Sequence, residues 1–122
     1  MNNLIYIAYG DIQVSRSIQM LLENEGYEVR FFENSDKLYE AFLYKKCCLV
    51  IMDIDAPGSD GLVICAKIKQ LMDLPIIVLT GQESDERYIF GITMGINTYL
   101  TKPFSHIKLI AHTRALLFKL AS

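Results

Sequence analysis

Leu49-Val50-Ile51-Met52-Asp53-Ile54-Asp55 carries an unbroken apolar run into two acids spaced one residue apart. A run of this length without polar alternation suits a strand covered on both faces, the usual state of strands in a parallel sheet. Leu4 to Tyr9 and Ile76 to Leu79 read the same way, and Val29 to Phe32 makes a further short strand. The stretches between them have helical period. Val14, Ile18, Leu21 and Leu22 form one stripe that ends before Gly26, and Leu38, Ala41 and Phe42 form the next, with Ser35 as its N-cap. Leu62, Cys65, Ala66 and Met72 mark a third helix, from near Asp60 to before Pro75. Ser84 opens a fourth that runs to about Gly95, Thr98 to Thr101 is the fifth strand, and Ser105 starts a last helix rich in Leu, Ile and Ala. Strand and helix thus alternate from end to end. That alternation predicts right-handed crossovers and an α/β, doubly wound parallel sheet, with its functional crevice beyond the carboxyl ends of the strands.

The 122 residues read as one domain, 1–122, with neither a linker nor a low-complexity stretch. Apolar residues make up 52% and charged residues 21%, enough to build a core and too apolar for disorder. Twelve basic side chains stand against fourteen acidic ones, a balance that argues against direct contact with nucleic acid or an anionic membrane. Cys47, Cys48 and Cys65 lack C-x-x-C spacing, so they read as free thiols rather than a disulfide framework or zinc site. No apolar run reaches membrane-spanning length, and Met1-Asn2-Asn3 has no signal-peptide character, so a soluble, cytoplasmic protein is expected.

The strand ends carry Tyr9-Gly10-Asp11, Asp53-Ile54-Asp55, Thr80-Gly81 and Lys102-Pro103. An acid, a hydroxyl and a cation therefore come from three different strands and are expected to converge. Asp53 closes the most apolar strand, where a structural carboxylate has little reason to sit. A carboxylate there can attack phosphorus and hold the group as an acyl phosphate, while Lys102 neutralises one phosphoryl oxygen and Thr80 donates to another. Each residue alone has an ordinary explanation: a capping acid, a packed threonine, a solvated lysine. Their joint placement at the ends of strands three, four and five favours function.

Three segments carry a family resemblance. Leu49 through Gly61, with Asp53-Ile54-Asp55-Ala56-Pro57-Gly58-Ser59-Asp60-Gly61, resembles the phosphoacceptor segment of bacterial response regulators. Pro75 to Gly81 resembles their fourth strand, and Tyr99-Leu100-Thr101-Lys102-Pro103-Phe104 their fifth. The likeness covers essentially the whole chain, and Gly95 through Leu117 further resembles the OmpR/PhoB subfamily, whose receivers precede a winged-helix DNA-binding domain. No such output domain is present in this sequence. The resemblance implies a flavodoxin-like receiver fold with strand order 2-1-3-4-5 and five helices. It also implies Asp53 as phosphoacceptor, Lys102 as the phosphate-contacting cation, Thr80 and Tyr99 as the switch pair, and a cis Lys102-Pro103 bond. It further implies a bound Mg2+, a histidine kinase as phosphoryl donor, and a homodimer through helix four, strand five and helix five. A receiver of this kind accepts a phosphoryl group and is not itself an enzyme.

The sequence departs from that pattern at the metal. The family ends its first strand with two adjacent acids that help hold the ion, and here Tyr9 and Gly10 stand in their place, with Asp11 one position late. Gly10 suits a positive φ. The remaining metal candidates are Asp53, Asp55 and Asp11: Asp11 swinging inward, or the Asp55 side chain joining directly, would restore a carboxylate. Asp55 reads equally as a solvated loop acid. At the dimer face, Ile96-Asn97-Thr98 replaces an acidic pair, Lys108 and Arg114 remain as cations, and Tyr88, Ile89, Phe90 and Ile92 add apolar surface, some of it facing the core. His106 and His112 read as surface helix residues.

Two alternatives stay open. One is a pseudo-receiver that works by protein contact without phosphorylation. The other takes Asp53-Ile54-Asp55 as the D-x-D nucleophile motif of haloacid-dehalogenase-type phosphatases, against which stands the lack of an acidic pair after a later strand. A flavin-binding module is weaker still, because no Ser/Thr/Gly-rich phosphate loop follows Tyr9.

Overall fold

The computed structural model describes residues 2–56, 58–81, 84–96 and 98–121, so Met1, Pro57 and Asn97 of the segments quoted above lie outside the described residues. Strands β1 (Leu4–Ala8), β2 (Glu28–Phe32), β3 (Leu49–Asp53), β4 (Ile76–Thr80) and β5 (Thr98–Thr101) alternate with five helices. These are α1 (Ile12–Asn24), α2 (Ser35–Tyr44), α3 (Gly61–Leu71), α4 (Asp85–Thr93) and α5 (His106–Ala121). All four strand pairings are parallel, in the order β2-β1-β3-β4-β5.

The continuous apolar runs follow from burial on both faces. Alternate residues of a strand point to opposite sides, and here both sides are covered. Tyr6, Val50, Met52 and Val78 join Leu38 and Phe42 of α2 and Leu62, Cys65 and Ile68 of α3 in one core. Ile5, Ile7, Ile51 and Leu79 join Ile18 and Leu22 of α1 and Leu109 of α5 in the other. Every residue of β1, β3 and β4 is buried.

Short polar side chains start the helices, with one correction. Asn34, not Ser35, caps α2: its Oδ1 accepts from the Lys37 amide at 2.9 Å. Ser35 is the first helical residue, and its hydroxyl donates to the Ser59 carbonyl at 2.9 Å, tying α2 to the loop after β3. Asp60 caps α3 and Ser84 caps α4 as expected. The Lys102-Pro103 bond is cis. Among the described residues the glycines with positive φ are Gly26, Gly58 and Gly95, so Gly10 does not use the freedom expected of it. No described helix is long and apolar enough to cross a membrane.

Candidate functional site

Asp53 is the last residue of β3, and its neighbour fixes it in place: the Ile54 amide donates to the Leu79 carbonyl at 3.1 Å, carrying the β3–β4 pairing one step past the carboxylate. On β5 the Lys102 amide donates to the Thr80 carbonyl at 2.8 Å, which holds the lysine's backbone beside the end of β4. Parallel register therefore brings residues 53, 80 and 102 to one edge of the sheet, as the strand ends predicted.

The Lys102 Nζ donates to Asp53 Oδ1 at 2.7 Å, and the Asp55 amide donates to the same oxygen at 2.9 Å. Asp53 is 4% exposed and Lys102 25%, so the pair is largely shielded from water. Burial pulls the Lys102 pKa down, but its hydrogen bond to Asp53 and the negative charges of Asp53 and Asp55 outweigh that, and the net shift is upward. Lys102 is thus a fixed cation. Thr80, only 1% exposed, ends β4 in register with Thr101.

Tyr9 is nearly buried and contributes a ring rather than a carboxylate. The ring meets Phe104 edge-on with centroids 6.2 Å apart, and the Lys102 Nζ lies 5.1 Å from its centroid, within cation–π range. Burial raises the Tyr9 pKa and nearby Lys102 lowers it, the balance being upward, so the phenol stays neutral. Asp11 does not turn inward: its Oδ1 accepts from the Gln13 and Val14 amides at 2.9 and 3.2 Å, and its carboxylate is spent on capping α1. Asp55 turns toward β4 and β5. Its Oδ2 accepts from the Gly81 amide at 2.5 Å and lies 3.4 Å from the Lys102 Nζ. The backbone amide of Gly81 is the group that sequence reasoning missed, because a backbone donor 26 positions away leaves no signal in side-chain identities.

Tyr99, of the expected switch pair, packs against α4. Its ring lies 5.3 Å from that of Tyr88, and a Cβ added to Gly91 would overlap the Tyr99 hydroxyl. Tyr88, Ile89, Phe90 and Ile92 were expected to include core residues, yet all four are at least 44% exposed and Gly91 is the only buried residue of α4. The helix meets the sheet through its glycine, which lets it approach the tyrosine closely. At the neighbouring face Arg114 is already paired, with Glu25 at the end of α1. His106 packs on Phe104 and His112 is exposed. Burial pushes the Cys47 and Cys65 thiols up to about 12 and that of Cys48 upward, so none of the three is a reactive thiol.

Receiver domains generally bind Mg2+, a hard ion that takes oxygen ligands in octahedral geometry. The donors present do not fit it. Tyr9 presents a ring, Asp11 caps a helix, and the two carboxylates at the spot, Asp53 and Asp55, are both already engaged, Asp53 by Lys102 and Asp55 by Gly81 and Lys102. Among the described residues no group of three or more His, Cys, Asp or Glu side chains could hold a metal ion.

Comparison with known proteins agrees with this geometry. The family model described as "Response regulator receiver domain" matches residues 5–114. The regulatory protein VanR of Enterococcus faecium is 35% identical over 115 residues, covering 94% of this chain and 50% of VanR. The uncharacterized transcriptional regulatory protein YclJ of Bacillus subtilis is 34% identical over 107 residues, covering 88% of this chain and 47% of YclJ. The chain thus spans about half the length of these relatives. Among solved structures, a two-component response regulator from Clostridium difficile superposes with a TM-score of 0.90 at 25% identity, covering 98% of this chain and 99% of that one. The BeF3-activated N-terminal receiver domain of Klebsiella pneumoniae RstA gives 0.83 at 30% identity, covering 94% and 98%. A buried acid at the end of the central strand, paired with a lysine from the edge strand, sits in a fold that superposes on these structures over nearly its whole length, and the chain is a member of the response regulator receiver domain family of two-component signalling.

Proposed function

We propose that Asp53 is the phosphoacceptor and that Thr80 and Lys102 bind the transferred group, with a histidine kinase as the physiological donor. One observation carries this reading. Among the described residues Asp53 is the sole buried acid, and it is held at 2.7 Å by a lysine from another strand. In the reaction a carboxylate oxygen of Asp53 attacks phosphorus, the bond from phosphorus to the donor breaks with its electron pair leaving on the donor, and an acyl phosphate remains on Asp53. Lys102 offsets charge on the incoming oxygens, and Thr80 and Tyr99 respond as the switch pair. The two alternatives weighed from the sequence gain no support from any observation of the fold.

Magnesium binding is weak in this reading, because two carboxylates are absent and the remaining ones are engaged elsewhere. The domain acts in the cytoplasm and controls a transcriptional output, attached or separate, a reading supported by its likeness to YclJ, which is named as a transcriptional regulatory protein. A homodimer through α4, β5 and α5 would rest on Ile89, Phe90 and Ile92 more than on charge, since Arg114 is turned to Glu25. Intact-mass measurement after treatment with acetyl phosphate tests the central assignment: one phosphoryl group is gained by the native chain and none by Asp53→Asn. An adduct that persists in Asp53→Asn, mapping to Asp55 or Asp11, overturns it.

A further inference from the structure

We propose that Asp55 is a tethered competitor for the phosphoryl group, its carboxylate occupying the Gly81 amide and the Lys102 ammonium that a group seated on Asp53 would use. The inference rests on the reading of Asp53 as phosphoacceptor and assigns that same site a built-in restraint.

The geometry is specific. Asp55 Oδ2 takes the Gly81 N–H at 2.5 Å, a short charge-assisted hydrogen bond, and approaches the Lys102 Nζ to 3.4 Å, while the same ammonium holds Asp53 Oδ1 at 2.7 Å. One cation is therefore shared by two carboxylates. Gly81 eases the approach, for a Cβ there would lie 3.2 Å from Asp55 Oδ2 and the carboxylate would have to give by a few tenths of an ångström. Asp55 is also anchored at its base, because its own amide donates to Asp53 Oδ1 at 2.9 Å.

A phosphoryl group brings about −1.5 to −2 of charge and three strong acceptor oxygens. Around Asp53 the described donors from β5 and from the residue after β4 are Lys102 and the Gly81 amide, and an acid already holds both. Before any phosphate arrives, Asp53, Asp55 and Lys102 sum to one negative charge. The incoming group must displace Asp55, which has a way out because its side chain is 37% exposed. Phosphorylation is then slowed by competition for donors as well as by like charge.

The test compares native chain, Asp55→Asn and Asp55→Ala by initial rate of phosphorylation with acetyl phosphate, read by intact mass at fixed magnesium. Asn keeps an acceptor for the Gly81 amide without the charge, whereas Ala vacates the donors. The expected order is native, then Asn, then Ala, with Ala at least tenfold faster than native. The amide proton of Gly81, followed by NMR without any phosphodonor, should move upfield in Ala and confirm that the donor has been released in a folded protein. Equal rates for Asn and Ala would reduce Asp55 to charge repulsion and overturn the competition. An Ala variant no faster than native, or slower, would overturn it also, and would leave Asp53 as phosphoacceptor if the adduct still requires Asp53. No adduct on any of the three would remove the phosphoacceptor reading and the competitor with it.

Discussion

Helices α3 and α4 follow consecutive strands and pack toward the same core, yet they are held in opposite ways. α3 buries Gly61, Leu62, Ile64, Cys65 and Ile68, a stripe at helical spacing inserted between the sheet and α2. α4 buries Gly91 alone and turns Tyr88, Ile89, Phe90 and Ile92 outward. Its attachments are a glycine against the Tyr99 hydroxyl, ring contact between Tyr88 and Tyr99, and a two-pronged ion pair in which Arg87 meets Asp60 at 3.1 and 3.2 Å. α3 is the more apolar helix, with seven apolar residues in eleven against four in nine for α4, yet the burial differs further still, for none of those four side chains is buried. An element held by few buried contacts can shift at low cost, and α4 is the element that touches Tyr99, the tyrosine proposed as half of a switch pair, and carries part of the face proposed to meet partners.

The largest effect that sharpens this contrast is in α3. Ile68→Ala should cost about 2–5 kcal/mol by urea denaturation, the loss of a fully buried side chain plus its cavity. A cost below 1 kcal/mol would mean that α3 is no better anchored than its neighbour. Next comes Gly91→Ala. The added methyl overlaps the Tyr99 hydroxyl, so the variant should lose about 1–3 kcal/mol and shift the Tyr99 ring resonances in NMR. In a Tyr99→Ala background the same change should become neutral or stabilising by up to about 1 kcal/mol, because alanine is the better helix former. If the cost persists there, the glycine serves something other than the tyrosine.

A smaller effect is expected at the ion pair. Asp60 and Arg87 are both more than a third exposed, so Arg87→Ala should cost less than about 1 kcal/mol at neutral pH. Its pH dependence has a definite sign. The hydrogen bond from Arg87 leads in holding the Asp60 pKa below its ordinary 3.8, with burial opposing it. The stabilisation is therefore fully present above pH 3.8 and is lost as pH falls through the lower folded-state value. Denaturation curves of native and Arg87→Ala should converge in that acid range; a gap that widens there would refute the pairing. The smallest effect is Phe90→Ser, expected within about 0.5 kcal/mol of native, because 44% exposure already leaves much of the ring in water. A loss of 2 kcal/mol or more would mean that this face of α4 is covered in solution.

Leu49 to Met52 and Ile76 to Leu79 determined a doubly covered parallel sheet by themselves, since apolar side chains at every successive position require burial on both faces. The strand ends likewise determined that Asp53, Thr80 and Lys102 would meet, because parallel strands of similar length end together at one edge. Asn34 in place of Ser35 as the cap of α2 shows the limit of local reading: both are good caps, and the choice was made by the Ser59 carbonyl, 24 residues away, which takes the serine hydroxyl. The outward turn of Tyr88 to Ile92 was likewise undetermined, for an apolar stripe does not say whether a neighbour stands ready to cover it. Only the tertiary structure decided where the acids go. Asp11 and Asp55 were equal candidates for a metal when judged by residue type. In three dimensions one caps α1, and the other finds a backbone amide on β4's exit and a lysine from β5. Those donors are distant in sequence, and one of them carries no side-chain signature at all, so the pairing exists only once the sheet has brought the strand ends together.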